Sequence, residues 1–448
     1  MKKLCFFILL ALVGAVSCVD DSENLRCENN WDYEDALATA ENSISLKQAI
    51  GNAEFIYKDI EGGEYQKRSI KSVDLLTSSN FDNTSTRSFA DDDPLVYVVN
   101  YEKGGYAVLS ATEDLPPVIM LGDEGHFSTE QFLCYVNNDT LTRTGEEISP
   151  EKEMQYTLVN NSITGVVGPL YPLDLITSVD TTMLLKCMPL VRTKWNQHAP
   201  YNKYAPVDEQ GRTCLAGCVP VASAQTLASL GYHHNFRPTI DIDSDYPINW
   251  RMISAEIYEG KIKYNASDNT DGANEVAKLI RAIGKNIDAN YGASATGGNP
   301  VKIAELYQAL GMNNIQYLPK EEVTEDMLFD MIVNKNYPVE CCAYRLGDDN
   351  SYHGHYFNID GWLRLEYTCL SYYMTGGINQ PAIPNPIQHQ FDLVHVNFGW
   401  GGSSDGYYLP HAFDISDSEF DDYYESNDIV NNTDRNYNML VHYMMYNL

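Results

Sequence analysis

The sequence predicts an α+β protein with two domains. In the N-terminal third of the chain, a single helical pattern is followed by short strands, two of which flank a glycine pair as a hairpin would. In the rest of the chain, several helical patterns come first, and segments rich in aromatic and aliphatic residues follow them. Because helices and strands are grouped in this way, we expect a largely antiparallel sheet with helices packed against it.

The composition excludes several classes of function. The chain has 448 residues, and 30 Lys and Arg against 62 Asp and Glu give a net charge of −32. An excess of acid this large disfavours binding to nucleic acid and charge-driven attachment to anionic lipid. The length suits two domains. The chain has 10 cysteines and no CxxC pair, which argues against a disulfide scaffold.

The first residues predict a secretory signal. Met1–Lys3 is basic, and Leu4–Val16 is apolar but too short to span a membrane stably. Ser17 followed by Cys18 resembles a bacterial lipoprotein cleavage site, so we expect a signal peptide over residues 1–17 and a lipidated Cys18. The acidic residues that follow resemble the tether of a surface lipoprotein, which predicts a secreted or cell-envelope protein on the outer surface. No later segment has about 18 consecutive apolar residues, so contact with a membrane is expected only through this lipid anchor.

The residues after the signal predict a small α+β domain over residues 20–150. Apolar residues recur at helical spacing within Glu34–Tyr57. Three strands are predicted after this helix: Leu95–Asn100, Tyr106–Ser110 and Pro117–Gly122. The segment Thr142–Lys152 is polar and accessible to a protease, and residues 151–184 are predicted to form a linker or activation region.

Residues 185–448 predict a larger domain. Cys218–Gly231 predicts a buried, Ala-rich helix with Pro220 in its first turn and Gly231 as its stop. Three more helices are predicted over Ala273–Gly284, over Pro300–Gly311 and after Thr324. Four strands are predicted over Pro338–Tyr344, His355–Trp362, Val394–Trp400 and Asn438–Tyr446.

Cys218 is a candidate nucleophile because it begins a predicted helix. The positive end of the helix dipole and the free N–H groups there favour the thiolate, which is the form that attacks a carbonyl. A small buried residue on an Ala-rich helix is the alternative interpretation.

Two later segments could complete a thiol active site with Cys218. His355 begins an apolar strand 137 residues after Cys218, and Asn397 could orient an imidazole that Trp400 shields from water. A core histidine and a Gly-rich turn are the alternatives for these two segments. The order Cys, His, Asn and the separation of Cys from His both suit papain-like thiol proteases, in which roughly 130 to 150 residues are expected.

The residues around these positions resemble the streptopain family of cysteine proteases. These are secreted bacterial zymogens with an inhibitory prodomain before a papain-like catalytic domain. The resemblance covers most of the chain after the signal and rests on four ordered motifs. They are Gly217–Val219 with Ala222–Gln225, Gly354–His355 with Ile359–Gly361, His395–Asn397 with Gly399–Gly406, and Trp195–Gln197 with Pro200–Asn202. The strands between Leu95 and Gly122 resemble the family's prodomain.

The resemblance implies a papain-like α+β domain that performs acyl transfer. Cys218, paired with His355, would attack the peptide carbonyl, and Asn397 would orient the imidazole. The Gln197 side chain and the Cys218 N–H would hold the oxyanion. The family also implies protein or peptide substrates, the chain's own prodomain as intramolecular inhibitor, and no cofactor or metal. Four residues are expected to border the substrate: Ser294, Gly354, Phe398 and Trp400.

The sequence departs from the family at three places. Phe398 stands where the family usually has Trp after the asparagine, so one wall of the site is altered but stays aromatic. Residues 363–393 form a longer connection than is common, and the acidic segment 414–432 replaces a glycine-rich loop. These departures bear on substrate preference more than on the chemistry.

Two other classes of function compete with the protease. His353, His355 and His395 could form a zinc hydrolase, since residues two apart on a strand share a face and imidazole suits zinc. The chain could also be a catalytically inactive surface lipoprotein that binds a protein through the same cleft. Sensitivity to EDTA would identify the zinc enzyme, and slow alkylation of Cys218 would identify the inactive protein.

Overall fold

The computed structural model describes residues 44–77, 80, 94–112, 115–136, 148–164, 176–240, 247–346, 352–373, 383–410 and 440–448. The predicted signal peptide, Cys18 and the acidic segment 414–432 lie outside the described residues. Among the helices that the structure describes, none has both the length and the apolar character needed to cross a membrane.

The N-terminal region, described over residues 44–77, 80, 94–112 and 115–136, packs a helix against an antiparallel sheet. Helix α1 covers Leu46–Glu61 and begins at Ser45, whose hydroxyl accepts a hydrogen bond from the Gln48 N–H. The strands are β1 (Ile70–Thr77), β2 (Pro94–Tyr101), β3 (Tyr106–Ser110) and β4 (Val118–Gly122), each paired with the next. Helix α2 covers Thr129–Val136. The predicted hairpin and the strand after it are confirmed.

The described residues between the two regions are regular structure. Helix α3 covers Pro150–Thr164, and strand β5 covers Ile176–Cys187. β5 pairs antiparallel with a later strand, where Cys187 lies opposite Trp362. The segment predicted as a linker therefore contains a helix and a strand, and the strand depends on a partner far away in sequence.

In the described part of the C-terminal region, four helices precede the strands as predicted, and one short helix lies between the first strand and the next. The helices are α4 (Cys218–His233), α5 (Trp250–Tyr258), α6 (Asp271–Asn286), α7 (Pro300–Ala309) and α8 (Glu325–Phe329). The strands are β6 (Asn313–Pro319), β7 (Val339–Leu346), β8 (Tyr352–Tyr373), β9 (Ile383–Asn397), β10 (Gly406–Tyr408) and β11 (Leu440–Asn447). α4 passes the predicted stop at Gly231 and ends at His233, since the Leu230 carbonyl accepts from His234 and Phe236.

The described strands form one antiparallel sheet in the order β1-β2-β3-β4-β10-β9-β8-β7-β11-β6, with β5 beside β8. The N-terminal and C-terminal strands join where β4 pairs with β10. α4 packs on the β7–β8 face: the Thr226 hydroxyl donates to the Asn358 side chain at 2.8 Å, and the Ser223 hydroxyl donates to Glu340 at 3.2 Å. The α+β class is confirmed, with the helix that carries Cys218 placed against the strand that carries His355.

Candidate active site

The backbone before α4 places the Cys218 thiol at the start of the helix. Gly217 has φ +94°, which L side chains rarely adopt, and a Cβ there would lie 2.9 Å from the Thr296 methyl group. Cys218 is half-buried. Burial is the largest effect and raises the pKa of its thiol, although nearby backbone N–H groups, that of Tyr356 first, lower it in part. The sulfur therefore lies against β8 at the residue that follows His355.

His355 is held at the start of β8 by a backbone oxygen. Its side chain is buried, and its Nε2 lies 2.8 Å from the carbonyl oxygen of Phe398. A carbonyl oxygen only accepts hydrogen bonds, so Nε2 carries the proton in this pair. The neutral ring then presents Nδ1 as its acceptor, which is the tautomer that a base needs to take the proton of a thiol.

Aromatic rings cover the histidine. The Trp400 ring stacks on His355 with centroids 4.3 Å apart, and Phe398 stacks on Trp400 at 4.8 Å. Phe398 is fully buried, whereas Trp400 is half-buried. The Trp400 ring thus covers one face of His355, and the Phe398 ring lies beneath the Trp400 ring.

The Asn397 amide is connected to His355 through one peptide unit. Its Nδ2 donates to the Thr193 carbonyl at 2.9 Å, and its Oδ1 accepts from the Gly399 N–H at 3.1 Å and from Gln225 at 3.2 Å. The Gly399 N–H and the Phe398 carbonyl belong to the same peptide group. Asn397 therefore holds the peptide group whose oxygen meets His355.

The remaining expected residues lie on three separate segments. The Gln197 carbonyl accepts from the Ala216 N–H at 2.9 Å, which fixes the Gln197 segment beside the turn that leads to Cys218, and the Gln197 side chain is half-buried. Ser294 is exposed, on a loop whose Thr296 hydroxyl donates to the Leu215 carbonyl at 2.8 Å. Gly354 is exposed and pairs with Tyr344 across β7 and β8.

His395 is remote from His355. It pairs with Gly361, six residues along β8, which is roughly 20 Å at the usual rise of a strand. Its Nδ1 lies 2.7 Å from Asp360 and its Nε2 lies 3.3 Å from Asp123. His355 and His395 cannot share one ion at this distance. Within the described residues, which do not include the His353 side chain, no group of three His, Cys, Asp or Glu residues could hold a metal.

Sequence reasoning missed a set of buried acids, of which Asp405 contacts the backbone of the site through the Phe398 N–H. Asp360 and Asp405 are almost fully buried, and Asp123 reaches His395 from the end of β4. Asp123 and His395 are 272 residues apart in sequence, so no local pattern could have paired them. The signal that was available is an Asp inside or beside an apolar strand, since buried carboxylates are paired with other groups.

A thiol at the start of a buried helix, beside a strand whose histidine has a fixed tautomer, is the arrangement of a cysteine peptidase. Residues 195–408 match the model of the peptidase C10 family. The match covers the segment that carries Cys218, His355 and Asn397, and together with the relatives below it identifies the chain as a cysteine endopeptidase.

Individual relatives match different shares of the chain. Streptopain of Streptococcus pyogenes is 21% identical over 349 residues, which is 72% of this chain and 75% of that protein. Active interpain A cysteine protease of Prevotella intermedia is 24% identical, covers 51% of this chain and 87% of its own, and has a TM-score of 0.37. A prointerpain A fragment from Prevotella intermedia is 20% identical, covers 71% and 90%, and has a TM-score of 0.42.

Proposed function

We propose that Cys218 and His355 are the nucleophile and the acid–base pair with which this peptidase hydrolyses peptide bonds. The observation that carries the proposal is the pairing of two contacts at the start of β8. The Tyr356 N–H lies close enough to the Cys218 sulfur to lower the pKa of the thiol, and the Phe398 carbonyl holds Nε2 of the neighbouring His355 at 2.8 Å. Nδ1 is then the ring nitrogen that exchanges a proton with the thiol.

The reaction proceeds in two steps. Nδ1 of His355 takes the thiol proton as the Cys218 sulfur bonds to the peptide carbonyl carbon, and the imidazolium then protonates the leaving amine as the C–N bond breaks. Water attacks the resulting thioester, with His355 taking its proton, and the new acid and the thiol are released. The Gln197 side chain and the Cys218 N–H hold the oxyanion in both steps.

Other residues position the pair or border the substrate. Asn397 acts on His355 through the peptide group of Phe398 and Gly399, which its side chain holds. Trp400 keeps water from the imidazole, and Phe398 supports Trp400. Gly354 and Ser294 are both exposed and border the substrate.

Alkylation of the active protein tests the assignment. Iodoacetamide should modify Cys218 rapidly and abolish hydrolysis, and Cys218→Ala should be inactive but folded. Cys187 is the matched control, since it is another half-buried thiol, and burial raises its pKa to about 11. Hydrolysis by purified Cys218→Ala protein, or inactivation that maps to Cys187, would overturn the assignment.

The chain is also a zymogen under this proposal, with residues 20–150 as inhibitory prodomain, 151–184 as activation region and 185–448 as catalytic domain. The support is the contact between the N-terminal and C-terminal regions. β4 pairs with β10, the Asp123 N–H donates to the Asp405 carbonyl at 2.9 Å, and Glu124 lies 2.7 Å from Lys194. Asp405 lies in the turn that follows Asn397, so these contacts reach the catalytic region close to the site.

The latency test compares the intact chain with a chain that begins at Ile176, so that β5 keeps its place beside β8. The intact chain should hydrolyse peptides slowly until it is cut, and the shorter chain should be active at once. In a Cys218→Ala background the chain should stay uncut unless active enzyme is added. Equal rates from the two chains, with the longer one verified intact, would mean that the N-terminal region does not inhibit.

The protein works outside the cytoplasm under this proposal, as a secreted or outer-surface lipoprotein. The support is the sequence of residues 1–17 and the cysteine at position 18. Metabolic labelling with a fatty-acid analogue should mark the wild-type protein, and Cys18→Ser should lose the label and appear in the medium. An unlabelled wild-type protein would remove the anchor but leave the peptidase intact.

A further inference from the structure

Asp405 is a buried carboxylate that the reaction above does not use. Its residue is 1% exposed and lies at the end of the turn between β9 and β10. Its Oδ1 accepts a hydrogen bond from the Phe398 N–H at 2.9 Å. Burying a carboxylate costs free energy unless the carboxylate accepts hydrogen bonds. The Asp405 side chain is therefore held where it can accept from the Phe398 N–H.

Hydrogen bonds fix both peptide groups of Phe398. Asp405 holds the N–H on one side, and Asn397 holds the peptide group on the other side through the Gly399 N–H. Gly399 has φ +71°, so the chain turns sharply here. The Phe398 carbonyl lies between these two N–H groups, and its oxygen lies 2.8 Å from Nε2 of His355.

We propose that Asp405 is a positioning residue for His355, acting through the backbone of Phe398. This inference rests on the proposed role of His355. Without the Asp405 anchor, Asn397 alone restrains the backbone of Phe398, so the Phe398 carbonyl oxygen stays at Nε2 for a smaller fraction of the time. His355 loses the acceptor that sets its tautomer, so the fraction of the ring with Nδ1 ready to accept a proton falls.

Charged and titratable groups from both regions of the chain surround Asp405. The pKa of Asp405 is raised to about 7, because burial and Asp123 raise it by more than His395, the Phe398 N–H and Lys194 lower it. The Tyr106 and Tyr408 hydroxyls are the other titratable neighbours. Asp123 and Tyr106 belong to the N-terminal region, so the environment of Asp405 changes when that region leaves.

Steady-state kinetics of the activated enzyme test this role. Asp405→Ala should lower kcat about 10- to 100-fold, as loss of an outer hydrogen bond does at comparable sites, with KM changed less than about threefold. Asp405→Asn keeps an oxygen at the Phe398 N–H and should recover most of kcat. The dependence of kcat on pH in Asp405→Asn should lack the ionisation of Asp405. The side chain of Asp405→Ser is too short to reach the Phe398 N–H, so this variant should be as slow as Asp405→Ala. It replaces Asp405→Ala in the test if that variant does not fold.

Ser404→Ala is the matched control. Ser404 is the adjacent buried residue, and its hydroxyl has no hydrogen-bond partner among the described residues, so kcat should be unchanged. Full activity in Asp405→Ala, an effect confined to KM, or an Asn variant as slow as Ala would each overturn the proposal. These outcomes leave alkylation of Cys218 intact, whereas failure of the proposed function would appear as hydrolysis by Cys218→Ala.

Discussion

Replacing Asp123 by Asn should loosen the N-terminal region from the catalytic region. His395 lies between two carboxylates, Asp360 at 2.7 Å and Asp123 at 3.3 Å, and its side chain is only 4% exposed. Removing one partner of a buried charge pair costs about 2 to 5 kcal/mol. Asp360 remains after the change and Asp123 is 34% exposed, so the loss should be smaller here. We expect Asp123→Asn to weaken the contact between the two regions by about 1 to 2 kcal/mol, which raises the population of the open state roughly 5- to 30-fold.

Glu124→Gln is the matched control. The residue is adjacent and the change of charge is the same, but Glu124 is 45% exposed and pairs with Lys194 at 2.7 Å near solvent. Exposed pairs contribute about 0 to 1 kcal/mol, so the effect should stay below about fivefold. The difference between the two variants isolates the buried histidine.

The assay is the rate at which a low concentration of iodoacetamide modifies Cys218 in the intact full-length chain. If the N-terminal region must open first, the labelling rate follows the open population. Mass spectrometry locates the label and verifies that the chain is uncut. Equal labelling of the two variants, or a wild-type rate in Asp123→Asn, would refute the role of the Asp123–His395 contact in holding the two regions together.

The same contact predicts a pH dependence. Burial would lower the pKa of His395, but Asp360 and Asp123 outweigh it and raise the pKa from 6.5 to about 10. Burial would raise the pKa of Asp123, but His395 outweighs it and the pKa falls below 3.8. The contact is therefore strongest between pH 3.8 and 6.5, and it weakens as the pH falls below this range or rises towards 10. Asp360 stays hydrogen-bonded to His395 after the N-terminal region opens, so only part of the stabilisation of the contact is lost at high pH.

The remaining predictions concern the active enzyme. Gln197→Ala should lower kcat/KM about 10²- to 10³-fold through loss of one oxyanion donor, and an unchanged rate would remove Gln197 from the site. Gly217→Ala should lower kcat about 100-fold because its Cβ would lie 2.9 Å from the Thr296 methyl group, whereas Gly260→Ala, with φ +83° and nothing within 4 Å, should cost only stability, measured as Tm. Trp400→Ala should lower kcat/KM about 2- to 10-fold through loss of the ring stacked 4.3 Å from His355, and the parental rate would show that the stack is dispensable.

Several features could be predicted from the sequence because they depend on neighbours along the chain. The hairpin of β2 and β3 follows from two strand patterns around a glycine pair, and pairing across a short turn needs no distant partner. The start of α4 at Cys218 follows from Gly217 and from Pro220 in the first turn. The end of α4 was missed at Gly231, because the distant packing of that helix outweighs the low helix propensity of one glycine.

Other features depend on groups that only the fold brings together. The sequence pointed to Asn397 as the partner of His355, but the atom at Nε2 is the backbone oxygen of Phe398, and every residue has such an oxygen. Likewise the junction of β4 with β10 and the Asp123–His395 contact join segments that are distant in sequence, 272 residues apart in the case of the two side chains. Residue types, their order and the local turns follow from the sequence. The tertiary structure alone decided which oxygen orients the histidine and which carboxylate holds the two regions together, because hydrogen bonds and charge pairs act over a few ångströms in space, whatever the separation along the chain.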